Sequence, residues 1–303
     1  MSLSIKKYAA IDIGSNAIRL LISNIIEDQG KETQFKKSSL VRVPIRLGAD
    51  TFTVGQISER NALRMIEAMQ AFKLLMSVHG VEKYMACATS AMREAKNGAK
   101  VVAMVEETTG INIQVINGKR EAAIIASTDL HQLIENDKTY LYVDVGGGST
   151  EFTVFSEGKI VLSRSFKIGT VRLLDGLVSE TMWKQMELWV KETLKPYKRV
   201  SLIGSGGNIN KIFKMSGREM GKPLSYIYLN AQYQFLQSLT YEQRVSELSL
   251  NPDRADVIIP ATRIYLSAAK WSRAQKIYVP KIGLSDGIIK TLYFEKKNKK
   301  KKK

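Results

Sequence analysis

Two short apolar runs, Tyr8-Ala-Ala-Ile-Asp12 and Tyr140-Leu-Tyr-Val-Asp144, share one design 132 residues apart. Each ends in an aspartate and a glycine turn, and each is followed at once by a second strand-like run, over 18–26 and 151–155. Short apolar stretches bounded by turn residues read as buried strands. Two of them joined by a tight polar turn read as a hairpin. A recurrence at this spacing is too long for a solenoid and implies two copies of one fold. At 303 residues the chain has room for two domains of ordinary size.

Helix and strand signals alternate between and after the two copies. Ser58 is placed to cap a helix running to about residue 78, with Ala62, Met65, Ile66, Met69, Phe72, Leu75 and Met76 at helical spacing. Strands are expected over 81–88 and 111–116, and helices over 91–108 and from 118 to about 134. The second half continues with strands over 159–167, 200–203 and 275–279. Its helices are expected over 180–194, 233–239 and 255–274, with a last helix opened by Gly283-Leu284-Ser285-Asp286-Gly287. Such alternation predicts an α/β architecture. The division expected is an N-terminal domain over 1–124, a C-terminal domain over 125–295, and a disordered lysine-rich tail over 296–303.

Composition narrows the function. Hydrophobic residues make up 44% and charged residues 25%, which excludes wholesale disorder and collagen. No window is apolar enough for a transmembrane helix, so no membrane role is expected. Nothing at the start resembles a signal peptide. Cys87 is the only cysteine, which suits a reducing cytoplasm. The net charge is +17, and removing the seven lysines of the tail leaves +10. A polyanionic partner is expected. Nucleic acid is disfavoured, because no helix-turn-helix, zinc finger or RNA-binding signature is present. A homodimer is compatible with these features.

Three glycine-rich turns follow apolar strands: Gly14-Ser15-Asn16, Gly146-Gly147-Gly148-Ser149 and Gly204-Ser205-Gly206-Gly207. Glycine lets backbone N–H groups wrap an anion with no Cβ in the way. Any one such turn is an ordinary strand end; three together point to phosphate handling. Neither the Gly-x-x-x-x-Gly-Lys pattern nor the full dinucleotide fingerprint occurs, which disfavours a Rossmann dehydrogenase. Asp12 and Asp144 stand at strand ends, where a carboxylate either holds Mg²⁺ or caps its own turn. Glu151 lies across the second hairpin from Asp144. Thr89 and Arg93 sit at a strand-to-helix junction suited to an anion, or to an ordinary cap and surface arginine. Glu121 opens a helix, where a carboxylate is locally no more than a dipole partner. His79 and His131 are isolated and read as structural.

The ordered set resembles the exopolyphosphatase / guanosine pentaphosphate phosphohydrolase family. The matching stretches are Ala10-Ile-Asp-Ile-Gly-Ser-Asn16, Ala88-Thr-Ser-Ala-Met-Arg-Glu-Ala95, Ile116-Asn-Gly-Lys-Arg-Glu-Ala122 and Val143-Asp-Val-Gly-Gly-Gly-Ser-Thr-Glu151. Ile168-Gly-Thr-Val-Arg172, Gly204-Ser-Gly-Gly207, Arg254-Ala-Asp-Val257 and Leu284-Ser-Asp-Gly287 continue the family order. The resemblance implies an actin-like ATPase fold, with two ribonuclease-H-like domains, an interdomain cleft and the short two-domain form of the family. It implies hydrolysis of a terminal phosphoanhydride bond of inorganic polyphosphate, or of guanosine pentaphosphate, with Mg²⁺ or another divalent cation. It makes Glu121 the general base, Asp144 the metal-site aspartate and Glu151 the second acid of that motif; Asp12, on its strand-end position, is a further candidate for phosphate or metal. It assigns phosphate binding to Gly14, Ser15, Asn16, Gly146, Gly147, Gly148, Ser149 and Arg93; Thr89, Gly206 and Gly207 are further phosphate candidates from their own turns. Two positions depart from the family: Arg120 beside the base, and Ile289-Lys290-Thr291-Leu292 after the last motif. Rival readings are an actin-like kinase or ATPase and a non-catalytic alarmone-binding regulator. Arg172, Lys211 and Arg254 are candidates to steer a polyanion.

Overall fold

The computed structural model describes residues 3–128, 135 and 137–300. These form two compact units, one of residues 3–128 with 284–300 and one of 135 with 137–283. The expected hairpins head both units.

In the first unit the strands are β1 (Ser4–Ile13), β2 (Ile18–Glu27), β3 (Gln34–Val43), β4 (Lys83–Ala88) and β5 (Ile113–Val115), in the order β3-β2-β1-β4-β5. β1, β2 and β3 are antiparallel, whereas β4 and β5 run parallel to β1. Ala9, Ile11 and Ile13 on one face of β1 join a core with Met65, Met69 and Phe72 of the helix Glu59–Val78. Tyr8, Ala10 and Asp12 point to the other face and are buried too, because the helix Leu284–Lys300 packs on β1, β2 and β4. A sheet covered on both faces needs continuous apolar strands, which is what the run at 8–13 displays.

The second unit repeats the arrangement. Its strands are β6 (Thr139–Val145), β7 (Thr150–Ser156), β8 (Lys159–Phe166), β9 (Val200–Ser205), β10 (Leu224–Ser225) and β11 (Lys276–Tyr278), in the order β10-β11-β9-β6-β7-β8. β6, β7 and β8 form an antiparallel meander, and β9 and β11 run parallel to β6. Its core gathers Leu141, Val143, Phe152 and Val154 with Met186 and Val190 of the helix Glu180–Leu194. The helix Ile258–Ser272 is buried on nearly every face, as the central helix of such a unit must be. A meander continued by parallel strands is the ribonuclease-H-like half, and its occurrence twice makes this an actin-like fold.

Several local expectations change. The helix expected over 91–108 is two, Ser90–Glu94 and Gly98–Thr109. The break is built in: Asn97 bonds both the N–H and the carbonyl of Ile57 at 2.8 Å, and a Cβ on Gly98 would stand 2.2 Å from the Met92 carbonyl. β3 is an edge strand rich in lysine and serine, and so carries no apolar signal. The helix expected from 118 to 134 is described over Gly118–Ala126; His131 and residues 129–134 lie outside the described residues. The last helix belongs to the first unit, not the second, and its backbone runs to Lys300. The lysine-rich stretch is thus helical as far as it is described, and 301–303 lie outside the described residues. Among the described residues no helix is long and apolar enough to cross a membrane.

Candidate active site

In the first unit the chain leaves β1 through Gly14, whose N–H donates to the Ala17 carbonyl at 3.1 Å. A Cβ on Gly14 would crowd that oxygen. Ser15 is buried and its hydroxyl meets that of Ser90 at 2.9 Å. The Ser15 and Asn16 carbonyls accept from Gly48 and Arg46, so the tip is held by the segment after β3. The Thr89 N–H donates to Ile13 at 3.1 Å, fixing the start of Ser90–Glu94 beside the turn. The ends of β1 and β4 therefore bring Ser15, Thr89 and Ser90 together.

Asp12 lies opposite Arg19 in the hairpin register, and its Oδ2 accepts from the guanidinium at 3.0 Å. Burial nevertheless raises the Asp12 carboxyl above its usual range, more than the Arg19 charge lowers it. Cys87 is its neighbour on β4, and burial, then the Asp12 charge, pushes the thiol up to about 12. β5 ends beside β4, with Val115 paired to Ala88 and the Ile116 N–H donating to the Ala88 carbonyl at 2.9 Å, so the helix start at 118 lies at the same end of the sheet.

Glu121 is 8% exposed, in the first turn of Gly118–Ala126. Asn117 caps that helix, its Oδ1 accepting from the Arg120 N–H at 2.8 Å. Arg93 donates to the Ile116 carbonyl at 2.6 Å, tying the β4 junction to the strand end that precedes Glu121. Arg120 instead reaches Glu295 at 3.7 Å, both half-exposed, a surface pair of little weight. Lys290 is buried, with its ammonium 4.8 Å from the Phe35 ring centroid.

The turn of the second unit is clamped from one side. The carbonyls of Gly146, Gly147 and Gly148 accept from the Thr170 N–H, the Val171 N–H and Arg172 Nε at 3.0, 2.9 and 2.7 Å. A trans peptide sets its N–H opposite its C=O, so the amides of Gly147, Gly148 and Ser149 face away from the clamp in a group. Successive amides so disposed form an anion nest. Gly169 permits the clamp, since a Cβ there would stand 2.3 Å from the Gly147 carbonyl. Arg172, a sequence candidate for steering, is buried and holds Gly148.

Asp144 and Glu151 face each other across β6 and β7. Glu151 is 3% exposed, and its Oε1 accepts from the Ser149 and Ser165 hydroxyls at 2.7 and 2.9 Å. Asp144 adjoins the third turn, 3.5 Å from where a Cβ on Gly206 would be. Gly206 takes a φ of +112°, which favours glycine there. Tyr265 bonds the Ser205 carbonyl, and burial, then the Asp144 charge, keeps its phenol well above the usual range. Gly207 opens the helix Gly207–Met215 against Arg254, whose Nη2 would be 2.9 Å from a Cβ on that glycine. Lys211, on this helix, donates to the Leu248 carbonyl at 2.7 Å.

These donors suit a hard divalent cation that takes few protein ligands and keeps its waters. Asp144 and Glu151 offer oxygens alone, and among the described residues no group of three histidine, cysteine or acidic side chains forms a full protein cage. Asp12 is paired with Arg19 and is the poorer donor. Sequence reasoning missed Ser165, Ser90, Arg19 and Tyr265, which support candidate residues from distant strands or helices and carry no local signal. His79 ends the helix Glu59–Val78 as a C-cap.

A Ppx/GppA phosphatase family model matches residues 31–294. Exopolyphosphatase 2 of Mycobacterium tuberculosis is 27% identical over 289 residues, covering 84% of this chain and 88% of that protein. A bifunctional 3-dehydroquinate synthase/phosphatase of Fusobacterium nucleatum is 31% identical over 286 residues, 84% of this chain and 42% of that protein. The crystal structure of an exopolyphosphatase from Cytophaga hutchinsonii superposes with a TM-score of 0.83 at 23% identity, over 95% of this chain and 97% of that one.

Proposed function

The chain belongs to the Ppx/GppA phosphatase family, whose members hydrolyse phosphoanhydride bonds, and from that premise we propose that it is an exopolyphosphatase, removing the terminal phosphate of inorganic polyphosphate in a reducing cytoplasm. The observation that carries this reading is the clamp of Thr170, Val171 and Arg172 on the carbonyls of Gly146, Gly147 and Gly148, which leaves the amides that follow them turned away for an anion, beside Asp144 and Glu151.

Phosphoryl transfer asks for positioning and charge neutralisation more than for covalent chemistry. Glu121 accepts a proton from water as the water oxygen bonds the terminal phosphorus. The bridging P–O bond breaks, and the products are inorganic phosphate and a chain shortened by one unit. Asp144 and Glu151 would hold the divalent cation, which when bound offsets charge on the phosphoryl oxygens. The turns at Gly14–Asn16, Gly146–Ser149 and Gly206–Gly207 donate N–H groups to phosphate, with Thr89 and Arg93 beside the first. Exopolyphosphatase relatives and a basic chain without a dinucleotide fingerprint favour a bare phosphate chain over a nucleotide.

The deciding measurement is phosphate release from short polyphosphate, long polyphosphate and guanosine pentaphosphate, side by side with and without Mg²⁺. Polyphosphate should be the best substrate and Mg²⁺ should be required. Preference for the pentaphosphate would make the chain a pentaphosphate 5′-phosphohydrolase. Tight alarmone binding without release would make it a regulator.

A further inference from the structure

The glycine turns of the second unit follow the C-terminal ends of β6 and β9. At the opposite end of these parallel strands lies a depression of about 810 Å³, within the range of ligand sites. A strand of this length rises about 20 Å, so the depression stands well apart from the turns. Its lining carries eight cationic side chains and one carboxylate, Glu192.

Part of that charge has a structural reason. Lys191 and Lys195 close the helix Glu180–Leu194, and Lys270 and Arg273 close Ile258–Ser272, where cations complement the helix dipole. The dipole does not explain Lys138, Lys198, Arg199 and Lys276, which stand just before or at the start of β6, β9 and β11. Lys138 pairs with Glu135 and Lys191 with Glu187. The other six have no ion pair with a described carboxylate. Like charges gathered without partners repel, and a polyanion relieves that repulsion.

Arg273 adds a second sign. It holds a φ of +57°, at a helix end where glycine is the residue free of strain. Arg273 lines the depression from this strained position.

We propose that this depression is a second anion site, which holds an extended inorganic phosphate chain at a distance from the scissile end. The inference rests on the reading of the chain as an exopolyphosphatase for its ligand, not for the site. Bare phosphate fits better than single-stranded nucleic acid, because the lining lacks a stacking platform: Trp271 is 8% exposed and Tyr197 packs on the core.

Binding of labelled long-chain polyphosphate is measured in a Glu121→Gln background, so that turnover plays no part. The variant Lys195→Gln/Lys198→Gln/Arg199→Gln is compared with Lys100→Gln/Lys159→Gln/Lys184→Gln, which removes equal charge from exposed sites elsewhere. The first should weaken binding at least tenfold at low salt and lower the log–log salt slope by about 2, taking about 0.7 per lost contact as for single strands. The control should change affinity less than twofold. Equal losses in the two variants, or an equal loss of RNA homopolymer binding, would overturn the proposal. Arg273→Gly separates site from scaffold: the Tm should rise while affinity falls, and a lower Tm with unchanged affinity would count against the site. With Glu121 intact, turnover of tripolyphosphate should be unaltered in the pocket variant. Absence of hydrolysis with the pocket effect intact refutes the enzyme reading alone, and the converse refutes this site alone.

Discussion

Gly287 lies so close to Ile124 that a Cβ on the glycine would stand 2.2 Å from the Ile124 carbonyl oxygen. The contact joins the helix Leu284–Lys300 to the helix Gly118–Ala126, and the Ser127 hydroxyl reinforces it by donating to the Gly287 carbonyl at 3.3 Å. The helix that carries Glu121 is therefore positioned by the far end of the chain.

Gly287→Ala should displace that helix, because the obstructing atom is backbone and cannot swing aside. Overpacking of this kind costs about 1–3 kcal/mol, and misplacing a catalytic group by about 1 Å costs about 10²-fold in rate. Phosphate release should fall to that extent in a protein that still unfolds cooperatively. An unaltered kcat would show that the contact does not set the position of Glu121.

Glu121→Gln should keep the fold and substrate binding and lose about 10²–10⁴-fold in turnover, the usual contribution of a placed general base. Circular dichroism and single-turnover phosphate release read the two separately. Full activity in the variant removes Glu121 from the role.

Removing both hydroxyls from Glu151, by Ser149→Ala with Ser165→Ala, leaves the carboxylate present but loosely oriented. Loss of such supporting contacts weakens metal sites by about 10–100-fold. The Mg²⁺ concentration giving half-maximal activity should rise by a factor in that range, with kcat at saturating Mg²⁺ much less affected. A titration curve unchanged from the parent would argue that Glu151 does not hold the cation.

Asp12→Asn should stabilise the protein at neutral pH. The carboxyl is raised in the folded state. Between its ordinary pKa and that raised value the folded chain binds a proton that the unfolded chain has released, so stability falls as pH rises through this window. At pH 7 the ionised carboxylate is a net burden that asparagine lifts. The Tm at pH 7 should rise and the gain should vanish at low pH. A lower Tm at pH 7 would reverse the inferred sign.

Cys87 should resist thiol reagents at pH 7.5 until the chain unfolds, since burial holds its thiol up to about 12 and the thiolate is the reactive form. The same shift makes stability decline from the ordinary thiol range toward pH 12, because the unfolded chain ionises first. Rapid labelling of the native protein would contradict this burial.

What the amino-acid order alone determined is local. Apolar runs closed by Asp12-Ile-Gly14 and Asp144-Val-Gly146 specify strands, turns and hence hairpins, because alternation and glycine act over a few neighbouring residues. Ser58 starts its helix for the same reason: its side chain caps Asn61 three residues on. Other features arose only when distant segments met. Glu121 reads locally as a dipole partner, and comes to the β1 and β4 ends only because β5 pairs with β4. Ser165 reaches Glu151 through the register of β7 with β8, Arg172 becomes a clamp through the return of the chain at Gly169, and the last helix joins the first unit rather than the second. Each depends on pairing across many intervening residues, where the deciding terms are shared burial and hydrogen-bond satisfaction, and no window of sequence contains both partners.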